Sequence, residues 1–175
     1  TQASSSAASD VYKRQVGMKY LAVATIQAFI IIGTLFLYYF VDILAMGRGW
    51  AWILDTFPMF FTTVFCALLL VITYTSIGLA LSSVSRGKFF PGIALLALLL
   101  GTKTLAAIVE GLFDRSILYL ISPYDSVAHV GQALIGTNVV YDHPWIWSLA
   151  SVVAINAIAL YVLSVRVSSM EVTRE

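Results

Sequence analysis

The sequence predicts an all-α membrane protein, with four transmembrane helices and a short helix in the loop between the third and the fourth. Three observations carry that prediction. Apolar residues make up 60% of the chain and charged residues 11%, and the mean hydropathy is +0.92. A soluble domain is about 45–50% apolar and about 25% charged, so this chain has too little polar surface to cover a globule in water. Second, four apolar stretches are long enough to cross a hydrocarbon core of about 30 Å, which takes roughly 20 helical residues. Third, lysine and arginine gather on one side of those stretches. This composition excludes a soluble enzyme and a disordered tail protein. A net charge of +1 excludes the basic excess of a nucleic-acid partner. One cysteine, Cys66, excludes a disulfide framework and a cysteine-based zinc site; it reads as a small buried hydrophobe.

The first fifteen residues differ from the rest. Thr1–Gln15 is small, polar and without helical periodicity, which reads as a disordered tail. It carries no secretory signal, since no apolar stretch lies between Lys13-Arg14 and a small-residue cleavage site. Asp10-Val11-Tyr12-Lys13-Arg14-Gln15 back-translates as GATGTGTATAAGAGACAG, similar to the transposon-end adapter of short-read library preparation. The expectation is that residues 1–15 are translated adapter or tail, and that residues 16–175 form the transmembrane domain. Lys13 and Arg14 are therefore left out of the charge argument.

The first span, about residues 20–41, has no charge. The second, about 59–83, is also uncharged and begins just after Pro58, a residue suited to a first helical turn. The third, about 89–113, carries Lys103 and Glu110. The fourth, about 145–165, is uncharged and follows Pro144. Each must be helical, because a lone strand in lipid leaves its backbone groups unpaired. Alternating spans put Lys19, Arg86, Lys88, Arg166 and Arg174 on one side, and only Arg48 and Arg115 on the other, with Asp42, Asp55, Asp114, Asp125 and Asp142. The positive-inside rule then places both termini in the cytoplasm of a plasma-membrane protein. Trp50, Trp52, Trp145 and Trp147 fall at the outer boundary, as an aromatic belt does.

The long outer loop, about residues 114–143, contains a helix signal. Ser122 suits the N-cap, Pro123 the first helical position, and Asp125 the first turn. Val127, Val130, Leu134 and Ile135 share a face, and Gly131, Gly136 and Asn138 help to end the helix. Such a helix either lies on the membrane surface or dips back into the bundle.

A charge inside a span is costly and marks a site. Lys103 and Glu110 are seven residues apart, about two turns, and so share a face. They line either a substrate path or a helix interface, or else snorkel to the surface. Asn156, in the middle of the fourth span, is a polar contact group between helices. Small residues at Gly78, Ser82, Ala150, Ala154 and Ala157 allow close helix approach. His129 and His143 lack metal-ligand spacing and read as solvated loop residues. Thr62, Thr63, Thr73, Thr75 and Ser76 have no base nearby in the sequence, and no P-loop or nucleophile-elbow motif occurs. No cofactor or metal is expected.

Three stretches carry a likeness to a known family. Gly17-x-Lys19-Tyr20 resembles the segment after the cytoplasmic coupling helix of ABC-2 type permease subunits. Gly78-Leu79-Ala80-Leu81-Ser82-Ser83-Val84-Ser85-Arg86 is similar to the family's stretch before a short basic link. Val162–Val167 through Glu171 resembles its last helix and cytoplasmic tail. The resemblance implies that the four spans match the last four of six, in a chain that begins mid-gene. It implies a bacterial half-transporter, an exporter, that pairs with a second permease subunit, identical or not. Two cytoplasmic ATPase subunits would hydrolyse ATP, and this chain would catalyse no reaction. Gly17 and Lys19 would lie on the ATPase side. Lys103 matches no family motif and departs from an apolar fifth helix. The alternatives are a secondary transporter or channel component using Lys103 and Glu110, and a membrane anchor or assembly subunit without a transport role.

Overall fold

The computed structural model describes the backbone of residues 2–85, 87, 89–138 and 140–172, with side chains from residue 14 to residue 166 of these. Arg86, Lys88 and Arg174, which contribute to the charge asymmetry, lie outside the described residues, as does the Lys13 side chain. The regular elements of the described residues are five α-helices and one 3₁₀ turn: α1 (Gln2–Ala45), α2 (Trp50–Val84), α3 (Phe90–Phe113), the 3₁₀ turn Ile117–Ile121, α4 (Pro123–Ile135) and α5 (Trp145–Val172). Four of these helices are long and apolar enough to cross a membrane: Arg14–Ala45, Trp50–Val84, Phe90–Phe113 and Trp145–Arg166.

Two boundaries correct the sequence reading. The stretch read as a disordered tail is helical from Gln2. Residues 2–16 contain no glycine or proline, and extending an existing helix adds a hydrogen bond per residue without a new nucleation cost. Helix α2 starts at Trp50, so Pro58 lies inside it rather than at its first turn. The extra turns are held by α1. Tyr39 Oη lies 3.0 Å from Thr56 Oγ1, and its ring stacks on Trp52 at 5.8 Å. Phe36 meets Phe60 edge-on at 4.9 Å. These contacts offset the hydrogen bond that proline cannot donate. Phe89 caps α3, with proline in its first turn.

α1 and α2 run antiparallel, since Tyr20 meets Ser76 near one end and Tyr39 meets Thr56 near the other. One end of the bundle therefore holds the α2–α3 link. The other holds Trp50, Trp52, Trp145 and Trp147 and is called here the tryptophan end. Ile77, Ala80 and Ala159 form a dry core with Leu81, Leu95, Leu98, Ile155 and Val162, joining α2, α3 and α5. The inward face of α5 carries Ser148, Val152 and Ala159, all buried, together with Asn156. Ala150, Ala154 and Ala157 are exposed, so the small-residue stripe read from the sequence is not the packing face. Polar groups in lipid must find partners, and the faces that carry them turn inward whatever their size.

Candidate functional site

After α3 the chain reverses at Asp114, which is left-handed (φ 52°). The 3₁₀ turn then runs back along α3. Tyr119 Oη donates to Glu110 Oε2 at 2.7 Å. Farther in, Lys103 Nζ reaches Asp125 Oδ1 at 4.0 Å. Lys103 is ten residues, about 15 Å, from the end of α3. The start of α4 therefore lies deep in the bundle, and α4 climbs back toward the tryptophan end. Its early residues Tyr124 and Asp125 lie near Tyr74 of α2, and the later Gly131 lies against Cys66, closer to the start of α2. Of the two placements open in the sequence, the helix dips back: Pro123, Val127, His129 and Val130 are all fully buried.

Local chemistry explains the hairpin. Ser122 Oγ accepts from the Asp125 backbone N–H and donates to Asp125 Oδ2 at 2.6 Å, closing the first turn as the sequence predicts. Gly136 ends α4 in the left-handed conformation (φ 75°). Gly131 does not end the helix. It sits inside α4 where a Cβ would lie 3.2 Å from Cys66 Sγ, so its missing side chain lets α4 approach α2. Between the two helices lies a groove of about 270 Å³.

The structure gathers a polar cluster that sequence spacing does not reveal. Ser148 Oγ lies 2.7 Å from His129 Nδ1 and 3.0 Å from His143 Nε2. Tyr141 packs its ring on His129 at 4.7 Å and donates to Asp125 Oδ1 at 3.3 Å. Ser116 Oγ donates to Asp142 Oδ2 at 3.4 Å and accepts from the Asp142 backbone N–H at 2.8 Å. Ser151 Oγ donates to the Leu120 carbonyl, tying α5 to the 3₁₀ turn. His129 is not a solvated loop residue: it is 1% exposed. Ser148, which is not among the hydroxyls singled out in the sequence, has two imidazoles beside it. The missed signal is His143 and Ser148 flanking Pro144 at the start of a helix. His129 comes from another element and no spacing could supply it.

The hydrogen bond to Glu110 raises the Tyr119 phenol to about 12, with burial adding to it. Burial and the Asp125 carboxylate raise Tyr141. Burial lowers His129, and His143 lowers it further. Burial lowers His143 as well, against the opposing pull of Asp142. Among the described residues no group of three or more His, Cys, Asp or Glu is placed to hold a metal ion.

Of the residues singled out in the sequence, Lys103 and Glu110 share a face but do not meet. Each is engaged by the re-entrant segment instead. Lys103 also lies over the Tyr124 ring at 4.8 Å, and its side chain is 54% exposed. Asn156 Nδ2 donates to Thr73 Oγ1 at 2.9 Å and to the Val152 carbonyl at 2.8 Å, while its Oδ1 is buried without a partner. It joins a seam that continues through Thr75 to Gln27 and Ser76 to Tyr20. Gly17 and Lys19 are exposed at the α2–α3 link end, far from this cluster.

Comparison with known protein families, curated proteins and solved structures finds no match to this chain.

Proposed function

We propose that this chain is a membrane-spanning permease subunit of the ABC-2 type, one half of an ATP-driven exporter. The observation that supports it best is Lys103. It lies ten residues inside the end of α3, yet its side chain is half exposed. A charge facing hydrocarbon is strongly disfavoured, so that face of α3 meets an aqueous path or another subunit. A permease half needs both. The state of α1 and α3 agrees: no described α1 residue is buried, and α3 buries only Ala106. In this reading Lys103 and Glu110 border the translocation path, and Asn156 holds the helices that flank it. Gly17 and Lys19 lie beside a cytoplasmic ATPase subunit. The tryptophan end faces outward from a plasma membrane, and a second permease subunit covers α3.

The test is co-expression with the P-loop ATPase encoded beside the gene, followed by purification in lipid nanodiscs. The reading expects a stable complex, with ATPase activity that falls severalfold in Lys19→Glu and leaves permease folding intact. A chain that purifies alone, with no ATPase gene nearby, overturns it. The exposed Lys103 also favours a second reading, a secondary transporter or channel component. That mechanism calls for charged or broken helices in more than one span, and within the spans predicted from the sequence only α3 carries charge.

A further inference from the structure

We infer that His129, Ser148 and His143 form a proton-binding latch, which holds the re-entrant helix α4 against α5 and releases it when the tryptophan end of the bundle is acidified. The argument starts from hydrogen counting. Ser148 Oγ has one proton to donate and faces two imidazole nitrogens, at 2.7 Å and 3.0 Å. The pair is satisfied when one ring donates to Oγ and Oγ donates to the other. His143 Nδ1 is buried and has no hydrogen-bond partner. A buried N–H without an acceptor is costlier than an idle lone pair, so the His143 proton sits on Nε2 and points at Ser148. Ser148 then donates to His129 Nδ1.

This arrangement disfavours a further proton. On His129 Nδ1, a proton displaces the hydrogen that Ser148 donates there, so the hydroxyl must turn to accept from both rings and its own hydrogen loses its acceptor. On His143 Nδ1, it would have no acceptor. The two rings lie edge to face with centroids 4.8 Å apart, so a charge on one also opposes a charge on the other.

The surrounding groups do not relieve this. From α4, Asp125 is taken by Ser122 and Tyr141, and the Tyr124 ring lies under Lys103. In the loop, Asp142 is taken by Ser116, and Tyr141 covers His129 with its ring. From α3, Glu110 is taken by Tyr119 of the 3₁₀ turn, and Lys103 reaches toward Asp125. α2 contributes Cys66, beneath Gly131, and Tyr74, which senses Tyr124 and Asp125. The described charge of α5, Arg166, lies at its far end. Among the described residues no carboxylate is hydrogen-bonded to either ring.

The direction of the effect follows. Both rings bind protons less readily with α4 docked than when it is free, where the ordinary value is 6.5. Below that pH the free state takes up protons that the docked state refuses. Docking is therefore strongest above about pH 6.5 and is lost as the pH falls through the lowered values.

The experiment uses the full chain in lipid nanodiscs. Amide hydrogen exchange of the α4 segment, residues 123–135, is measured at about pH 7.5 and about pH 5. Rates are corrected for chemical exchange and referenced to the middle of α2. The comparison is the double variant His129→Asn with His143→Gln, whose amides keep neutral hydrogen-bonding groups near Ser148 but cannot titrate. The latch expects α4 exchange to rise severalfold or more on acidification in the native chain, and to stay flat in the variant. Equal protection at both pH values, or the same rise in the variant, overturns it. Should the variant fail to fold, histidine NMR titration of the native chain decides. Two rings titrating below 6.5 in step with α4 exchange support the latch. Rings titrating at the ordinary value while α4 stays protected overturn it.

Discussion

At the scale of single residues, the bundle is held by hydrogen bonds between side chains of different elements. Asn156 is the clearest case, because its Nδ2 bridges α5 to Thr73 of α2 while Oδ1 remains unpartnered. Asn156→Leu removes the bridge and the orphan oxygen together. A hydrogen bond between membrane helices averages about 0.6 kcal/mol and reaches about 1.7. We expect a loss of up to about 1 kcal/mol, read from unfolding in mixed micelles. Tyr119 offers a cleaner measurement. Its phenol is held at about 12 chiefly by donating to Glu110, so Glu110→Gln should bring its ultraviolet titration back toward the ordinary value of 10. A titration unchanged by that substitution would show that Tyr119 and Glu110 do not meet. Lys103 and Glu110 were legible in the sequence as a pair on one face. Their real partners, Asp125 and Tyr119, were not, because the chain reversal at Asp114 brings them alongside.

At the scale of elements, the re-entrant hairpin is part sequence and part packing. Ser122, Pro123 and Asp125 announce the start of α4, and the observed cap follows that prediction. Whether α4 lies on the surface or inside the bundle depends on its neighbours. Gly131 shows why. A side chain there meets Cys66 Sγ, so Gly131→Leu should part α4 from α2 and cost about 1–3 kcal/mol by overpacking. Cys66→Ala in the same chain should recover part of that loss. If the double variant is no more stable than the single, the two helices are not in contact at this point. The start of α2 makes the same case. Pro58 suggests a first turn, yet Tyr39 and Phe36 of α1 hold eight more residues helical before it.

At the scale of the whole molecule, α1 and α3 are the uncovered helices. Their exposed apolar side chains, Phe29 at 80% and Leu112 at 71% among them, suit lipid or another subunit. Lys103 suits lipid poorly. Within the proposed reading, Lys103→Met should leave insertion intact and reduce transport severalfold in reconstituted vesicles, if its ammonium faces the path. Unchanged transport with weakened pairing of permease subunits would instead assign it to the interface between them.

The sequence by itself determined the number of spans, their helical state, the signal for α4 and the charge asymmetry between the two sides. Each follows from local rules: hydrocarbon demands a length and an internally paired backbone, and caps act within one turn. Tertiary structure decided which face of α5 packs, how deep α4 lies and which groups surround Ser148. Those depend on contacts between residues far apart in the chain. His129 and Ser148 are nineteen positions apart, Asn156 and Thr73 eighty-three. No periodicity encodes such distances. They are set by how the helices pack and by the cost of leaving a polar group in the bundle without a partner.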